Sequence, residues 1–247
     1  MGTNTIEVPA TADGMPGLTQ GGYVAGLAAE GMEGRVRVWL RRPTAPGDRL
    51  RREVDGDEAR LIRSGDELVA AARPSKLLVD RRPGPSSAAV DDALSRPLPH
   101  PIPFDTCLGC GTAAHSLGLI IRPVPDTNWT IGSWTPRADL GGDAGIVWST
   151  WVWTVLDCVT SWAIFNHRPD DMSSRAVTGT IAYEALRPLR VGERVHFWSW
   201  LDHEDDRRLV LGGGLAVGDE IVGWADQELI RTSQGMDLAM FMPDPAA

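Results

Sequence analysis

Asp157 stands in a stretch whose neighbours at helical spacing are Trp151, Val152, Val155, Leu156, Val159 and Trp162. A carboxylate on so apolar a helix loses its water, which raises its pKa toward that of a general base able to take a proton from water. Near the start of the chain, Gln20-Gly21-Gly22-Tyr23 opens a second helical stretch. The first N–H groups of a helix lack partners and lie at the positive end of its dipole, so they suit an oxygen that gains charge during attack. Glycine there lets a ligand approach closely. Both features also admit plainer roles, an acid paired with an arginine and an ordinary helix start.

A third set, Cys107-x2-Cys110 with His115 and with His100 upstream, has the ligand count of a tetrahedral zinc site. Its C-x2-C-x4-H spacing is short and no second Cys/His pair of finger type follows, so two buried thiols on a tight glycine turn is the preferred reading and no metal is expected. Gly109-Cys110-Gly111-Thr112-Ala113-Ala114 fits G-x-G-x-x-[GA] but follows a proline-rich segment instead of a strand, which excludes a dinucleotide fingerprint. His167 and His203 fall in polar turns and read as solvated. The sequence shows no Ser-His-Asp elbow, P-loop or metalloprotease helix, and no cofactor is expected.

The elements that must carry these residues follow from an internal repeat. Arg42-Pro43 to Leu50 matches Arg187-Pro188 to Val195 as R-P-x-x-x-G-[DE]-R-φ, and Gly65-Asp66-Glu67-Leu68-Val69 matches Gly218-Asp219-Glu220-Ile221-Val222 in the same order. Each copy reads as a helix (22–32; 146–165), a strand (35–41; 177–186), a Pro/Gly turn, a strand pair (49–54 with 59–62; 194–201 with 208–215) and a last strand (67–73; 220–230). The second copy adds strands at 117–124 and 130–135. Alternation such as Val195-His196-Phe197-Trp198-Ser199-Trp200 predicts a sheet with one buried face, and the whole predicts an α+β arrangement.

The remainder bounds the answer. The chain has 247 residues, a net charge of −9 and three cysteines. It offers no clustered basic footprint for nucleic acid or anionic lipid, and no signal-peptide or membrane-span pattern, so a cytoplasmic protein without nucleic-acid or membrane partners is expected. Residues 1–17 and 233–247 read as flexible tails, and 81–116, rich in proline, as a linker.

Cys107-Leu108-Gly109-Cys110-Gly111 followed by Leu117-Gly118-Leu119 resembles the opening of PaaI-like acyl-CoA thioesterases of the hotdog superfamily, in which a sheet wraps a central helix. Trp134 to Arg137, Gly145-Ile146-Val147 and Val155-Leu156-Asp157 continue that resemblance, and Gln20-Gly21-Gly22-Tyr23 is similar to the helix start of double-hotdog thioesterases. The resemblance implies a double hotdog with repeats at 18–80 and 117–232. It implies one composite site, with Asp157 and Gly21 catalytic and Gln20, Gly22, Tyr23, Trp148, Trp153 and Ser161 binding substrate. The tryptophans would line an acyl tunnel, or simply fill the core. Where the superfamily has H-G-G the second copy has Trp148-Ser149-Thr150, and the position matching Asp157 in the first copy is Ala29, so the reciprocal site lacks its acid. The implied activity is hydrolysis of an acyl-CoA or acyl-carrier-protein thioester, by a monomer of two fused hotdogs or a homodimer of these. The alternatives are an inactive acyl-binding protein and a hotdog dehydratase or lyase, for which His100 and His167 are not convincingly placed.

Overall fold

The strands pair in chain-local hairpins, and the two sets join edge to edge. The computed structural model describes residues 4–98, 104–124, 127–165 and 176–231. The first half contains β1 (Asn4–Glu7), α1 (Gly21–Ala29), β2 (Arg35–Leu40), β3 (Arg49–Asp55), β4 (Glu58–Arg63) and β5 (Glu67–Pro74). After α2 (Ser87–Ser95), the second half contains β6 (Ile120–Pro123), β7 (Trp129–Trp134), α3 (Ser149–Phe165), β8 (Ala176–Ala185), β9 (Val195–Glu204), β10 (Arg208–Val217) and β11 (Glu220–Arg231).

All strands lie in one sheet ordered β1-β3-β4-β5-β2-β8-β11-β10-β9-β7-β6. The order 3-4-5-2 is answered by 8-11-10-9 in reverse, so the repeated strands meet at the antiparallel β2–β8 pair, Val36 opposite Tyr183 and Val38 opposite Ile181. The repeated motif makes the same turn twice. Asp48 accepts the Ala45 N–H (3.1 Å) and Glu193 the Arg190 N–H (2.9 Å), each three residues back. Gly47 (φ 87°) and Gly192 (φ 80°) take the left-handed conformation that only glycine adopts freely.

On the inner face of the sheet, α1 and α3 pack against each other. Both are apolar around most of their circumference, as buried helices are. Gly22 and Gly26, one turn apart, allow the close approach: a Cβ on Gly26 would lie 2.5 Å from Thr150 Cα, and one on Gly22 would meet the Trp153 carbonyl. Gly26→Ala should therefore lower stability by about 1–3 kcal/mol, read as the midpoint of chemical denaturation; an unchanged midpoint would mean that the helices can part without loss.

Three expectations differ from the structure. Residues 1–17 contain β1, paired to β3, and bury Val8 and Ala12. A four-residue edge strand has too short an alternation to be read. Residues 81–116 contain α2, capped by the Ser86 side chain on the Ala89 N–H, and bury Val90, Cys107 and Leu108. The sheet is also covered on both faces at β9 and β10: Val79 packs with Trp198, Trp200 and Trp224 on the outer side. Beneath that layer the buried Arg37 guanidinium bonds both carboxylate oxygens of Asp226 (2.7 and 2.9 Å) and Thr180 Oγ1 (3.0 Å), tying β2 to β8 and β11. No helix among the described residues is long and apolar enough to cross a membrane.

Candidate functional site

Asp157 sits on α3 opposite the first turn of α1. Gln20, the residue that caps α1, orients this end. Its Oε1 accepts the Tyr23 N–H (2.6 Å), which leaves its Nε2 to donate to Asp157 Oδ2 (2.7 Å) and to the Thr154 carbonyl (3.0 Å). The carboxylate also accepts the Gly22 N–H. On its other oxygen, Oδ1 accepts from Thr178 Oγ1 (2.8 Å) of β8 and Gln227 Nε2 (2.5 Å) of β11. Gln227 is held in turn by Thr160 Oγ1 (2.7 Å) and Ser161 Oγ (3.0 Å), both donating to its Oε1. Burial pushes Asp157 up to about 6, against the opposing pull of hydrogen bonds from Thr178, Gly22 and Gln227. It is a desolvated carboxylate held in a fixed orientation.

A register shift delivers Thr178. Along β8, Thr180 bonds Arg37 on the outer face, so regular alternation would send Thr178 outward too. The β8–β11 pairing instead passes from Glu228 opposite Thr180 to Leu229 opposite Thr178, leaving Gly179 unpaired as a bulge. The bulge turns Thr178 to the inner face, where it meets Asp157. Glycine is required at 179, because a Cβ would lie 2.6 Å from Ile230 Cγ1.

These groups form one end of a cavity of about 390 Å³, within the usual size of small-molecule pockets. Gln20, Gly21, Asp157, Ser161 and Thr178 line its polar part, and Leu18, Val24, Leu40, Phe104, Trp162 and Leu229 much of its apolar part. The Gly21 N–H has no hydrogen-bond partner among the described residues. A Cβ on Gly21 would come within 3.3–3.5 Å of Leu40, Asp157 Oδ2 and Thr178, so the amide lies beside the carboxylate. Thr19 also lines the cavity, and its buried Oγ1 has no partner among the described residues.

Of the residues singled out in the sequence, Asp157, Gly21, Gln20 and Ser161 come together here. Gly22 serves the helix crossing and the carboxylate through its N–H. Gly22 and three other residues expected to touch substrate do not line the cavity. Tyr23 stacks at a tilt on Trp151 (5.7 Å), Trp153 meets Tyr183 edge-on (5.8 Å), and Trp148, just before α3, is 53% exposed. The cavity stripe of α3 is 157, 158, 161 and 162, the spacing of one helix face, and it excludes Trp153. Thr178, Gln227 and Thr19 were not identified in the sequence. None left a signal: Gln227 stands between Asp226 and Glu228, where one more polar residue does not stand out.

Cys107 and Cys110 are buried, as expected of the glycine turn. His115 Nε2 lies 3.0 Å from the Thr106 carbonyl on the surface, and His100 and His167 lie outside the described residues. Cys107 and Cys110 are met by Cys158 of α3. Hydrogen bonds from Cys110 and Cys158 hold Cys107 well below the usual thiol range, while the bond to Cys107 pushes Cys110 and Cys158 up. The three sulfurs thus form one hydrogen-bonded cluster.

No family model and no curated protein sequence matches the chain. Solved structures do match over most of its length. An acyl-CoA thioesterase II, TesB2, from Mycobacterium marinum superposes with a TM-score of 0.60 at 14% identity, covering 86% of this chain and 88% of that one. A tesB protein from Mycobacterium avium subsp. paratuberculosis gives 0.59 at 13% identity over 87% and 88%. A conserved hot dog fold protein from Alicyclobacillus acidocaldarius gives 0.60 at 13% over 93% of each chain. The chain therefore has the α+β hotdog fold of these solved structures.

Proposed function

We propose that the chain is two fused hotdogs forming a thioester hydrolase for acyl-CoA or acyl-carrier thioesters. The observation that carries this reading is the placement of the buried Asp157 carboxylate beside the unpartnered Gly21 N–H, in one cavity with an apolar extension. In this reading Asp157 takes a proton from a water held in the cavity beside Thr178, and the water oxygen attacks the thioester carbon. The carbonyl oxygen gains charge and is received by the Gly21 N–H at the positive end of α1. The C–S bond then breaks, the thiolate leaves and takes up a proton, and the acid is released. The acyl chain lies along Leu18, Val24 and Leu40.

One observation favours a second reading, a protein that binds an acyl ligand without cleaving it: Asp157 already accepts from Gln20, Gly22, Thr178 and Gln227, as many donors as two carboxylate oxygens take. Thiol release measured over a series of acyl-CoA chain lengths separates the two. Turnover at some chain length supports the hydrolase; saturable binding with no thiol release at any length overturns it.

Thr178→Val keeps the shape of the side chain and removes one hydrogen bond to a charged group, worth about 1.5–3 kcal/mol. Turnover should fall by about 10–100-fold, with substrate affinity little changed. A variant that hydrolyses at the wild-type rate would remove Thr178 from the machinery.

A further inference from the structure

We propose that Cys107, Cys110 and Cys158 form a binding site for one soft divalent cation, zinc by its chemistry, in the wall of the cavity. The proposal stands apart from the hydrolase reading. The three Sγ atoms lie within 4.8 Å of one another, with Cys107 to Cys110 at 3.6 Å and Cys107 to Cys158 at 3.7 Å. A tetrahedral site with Zn–S bonds of about 2.3 Å has S–S edges of about 3.8 Å, so two edges already have the required length. A disulfide would need about 2.0 Å.

Polar donors face the sulfurs from outside the cluster. Cys107 Sγ receives the backbone N–H groups of Gly109 and Cys110. Cys110 Sγ receives the Trp162 indole N–H at 3.2 Å, and the Gln20 amide nitrogen lies 3.6 Å from Cys158 Sγ. Polar groups placed this way form the outer shell that fixes metal-binding thiolates. The glycines of the C-L-G-C-G turn permit the assembly, because a Cβ at Gly109 would collide with Cys158 Sγ and one at Gly111 with the carbonyl oxygens of Asp105 and Cys107. Binding would convert all three to thiolates, whose charge the cation itself compensates, and no Lys or Arg forms an ion pair or hydrogen bond with the sulfurs among the described residues. Thiolate donors select soft ions over calcium or magnesium, and an S3 set suits zinc. All three cysteines line the cavity, so the fourth position opens on whatever occupies it.

The test uses the full chain, produced with zinc in the medium and purified under reducing conditions. About one zinc per chain is expected by elemental analysis, with a sulfur-to-metal charge-transfer band after cobalt substitution. Cys110→Ser and Cys158→Ser should lose the metal. Because those variants could fail to fold, Trp162→Phe provides a second arm: it keeps the ring and removes one donor, and should weaken zinc affinity by about 10–100-fold in competition with a chromophoric chelator. A reduced chain that takes up no zinc on titration while all three thiols react freely overturns the proposal. So does zinc retained by folded cysteine variants, or affinity unchanged in Trp162→Phe.

Discussion

Asp157→Asn should lower thiol release from every acyl-CoA substrate by about 10²–10⁴-fold, the range of a lost general base. The replacement is nearly isosteric, and the surrounding network makes it a demanding one. Oδ1 faces Thr178 and Gln227, and Oδ2 faces Gln20, so the new NH2 group meets a donor on either side. Neither glutamine can turn over freely, because Gln20 Oε1 is committed to the Tyr23 N–H and Gln227 Oε1 to Thr160 and Ser161. An unsatisfied group costs about 1–3 kcal/mol, offset in part by removal of a buried charge. The rate must therefore be measured beside thermal stability. A folded Asn variant with wild-type turnover sinks the catalytic role of Asp157 and leaves it a carboxylate that holds α1, α3, β8 and β11 together.

Gly21→Pro should lower turnover by about 10²–10³-fold, the usual effect of losing one oxyanion donor. The first helical position accepts proline, whose fixed φ suits it and whose missing N–H breaks no helical bond. Gln20 before it is extended (φ −60°, ψ 128°), the conformation that proline requires of its predecessor. The backbone thus tolerates the change, and what disappears is the free donor. The added ring is the confounding factor, since a Cβ there already touches Leu40 and Thr178 at 3.3–3.5 Å. Gly21→Ala controls for it by keeping the N–H and adding only the Cβ. The proline variant should be far slower than the alanine variant; equal rates would assign the loss to crowding and remove the N–H from the mechanism.

Much of this protein is local, and local patterns can be read in a sequence. The strands β2 to β5 and β8 to β11 follow from alternation and from turns that repeat, with Asp48 and Glu193 closing each on a backbone N–H three residues back. The meeting of the Gln20-Gly21 helix start with Asp157 followed from the repeat together with the resemblance, because one copy had kept the glycines and the other the acid. Short or covered elements escaped. β1 has four residues, and α2 lies in a proline-rich stretch. The second buried face of the sheet depends on where residues 77–79 run, which no strand's own alternation encodes.

The tertiary structure alone decided what surrounds the carboxylate. Thr178 reaches Asp157 because a bulge at Gly179 reverses the side-chain alternation of β8, and a one-residue slip in pairing leaves no periodic mark in the sequence. Gln227 and Gln20 come from positions 70 and 137 residues away. Cys158 was one residue from Asp157 on the same helix, yet its partnership with Cys107 and Cys110 shows only when the glycine turn folds over α3. Spacing along the chain told which residues share a strand or a helix face. Which faces meet was set by close packing between elements distant in the chain, where a glycine admits an approach that a Cβ would forbid.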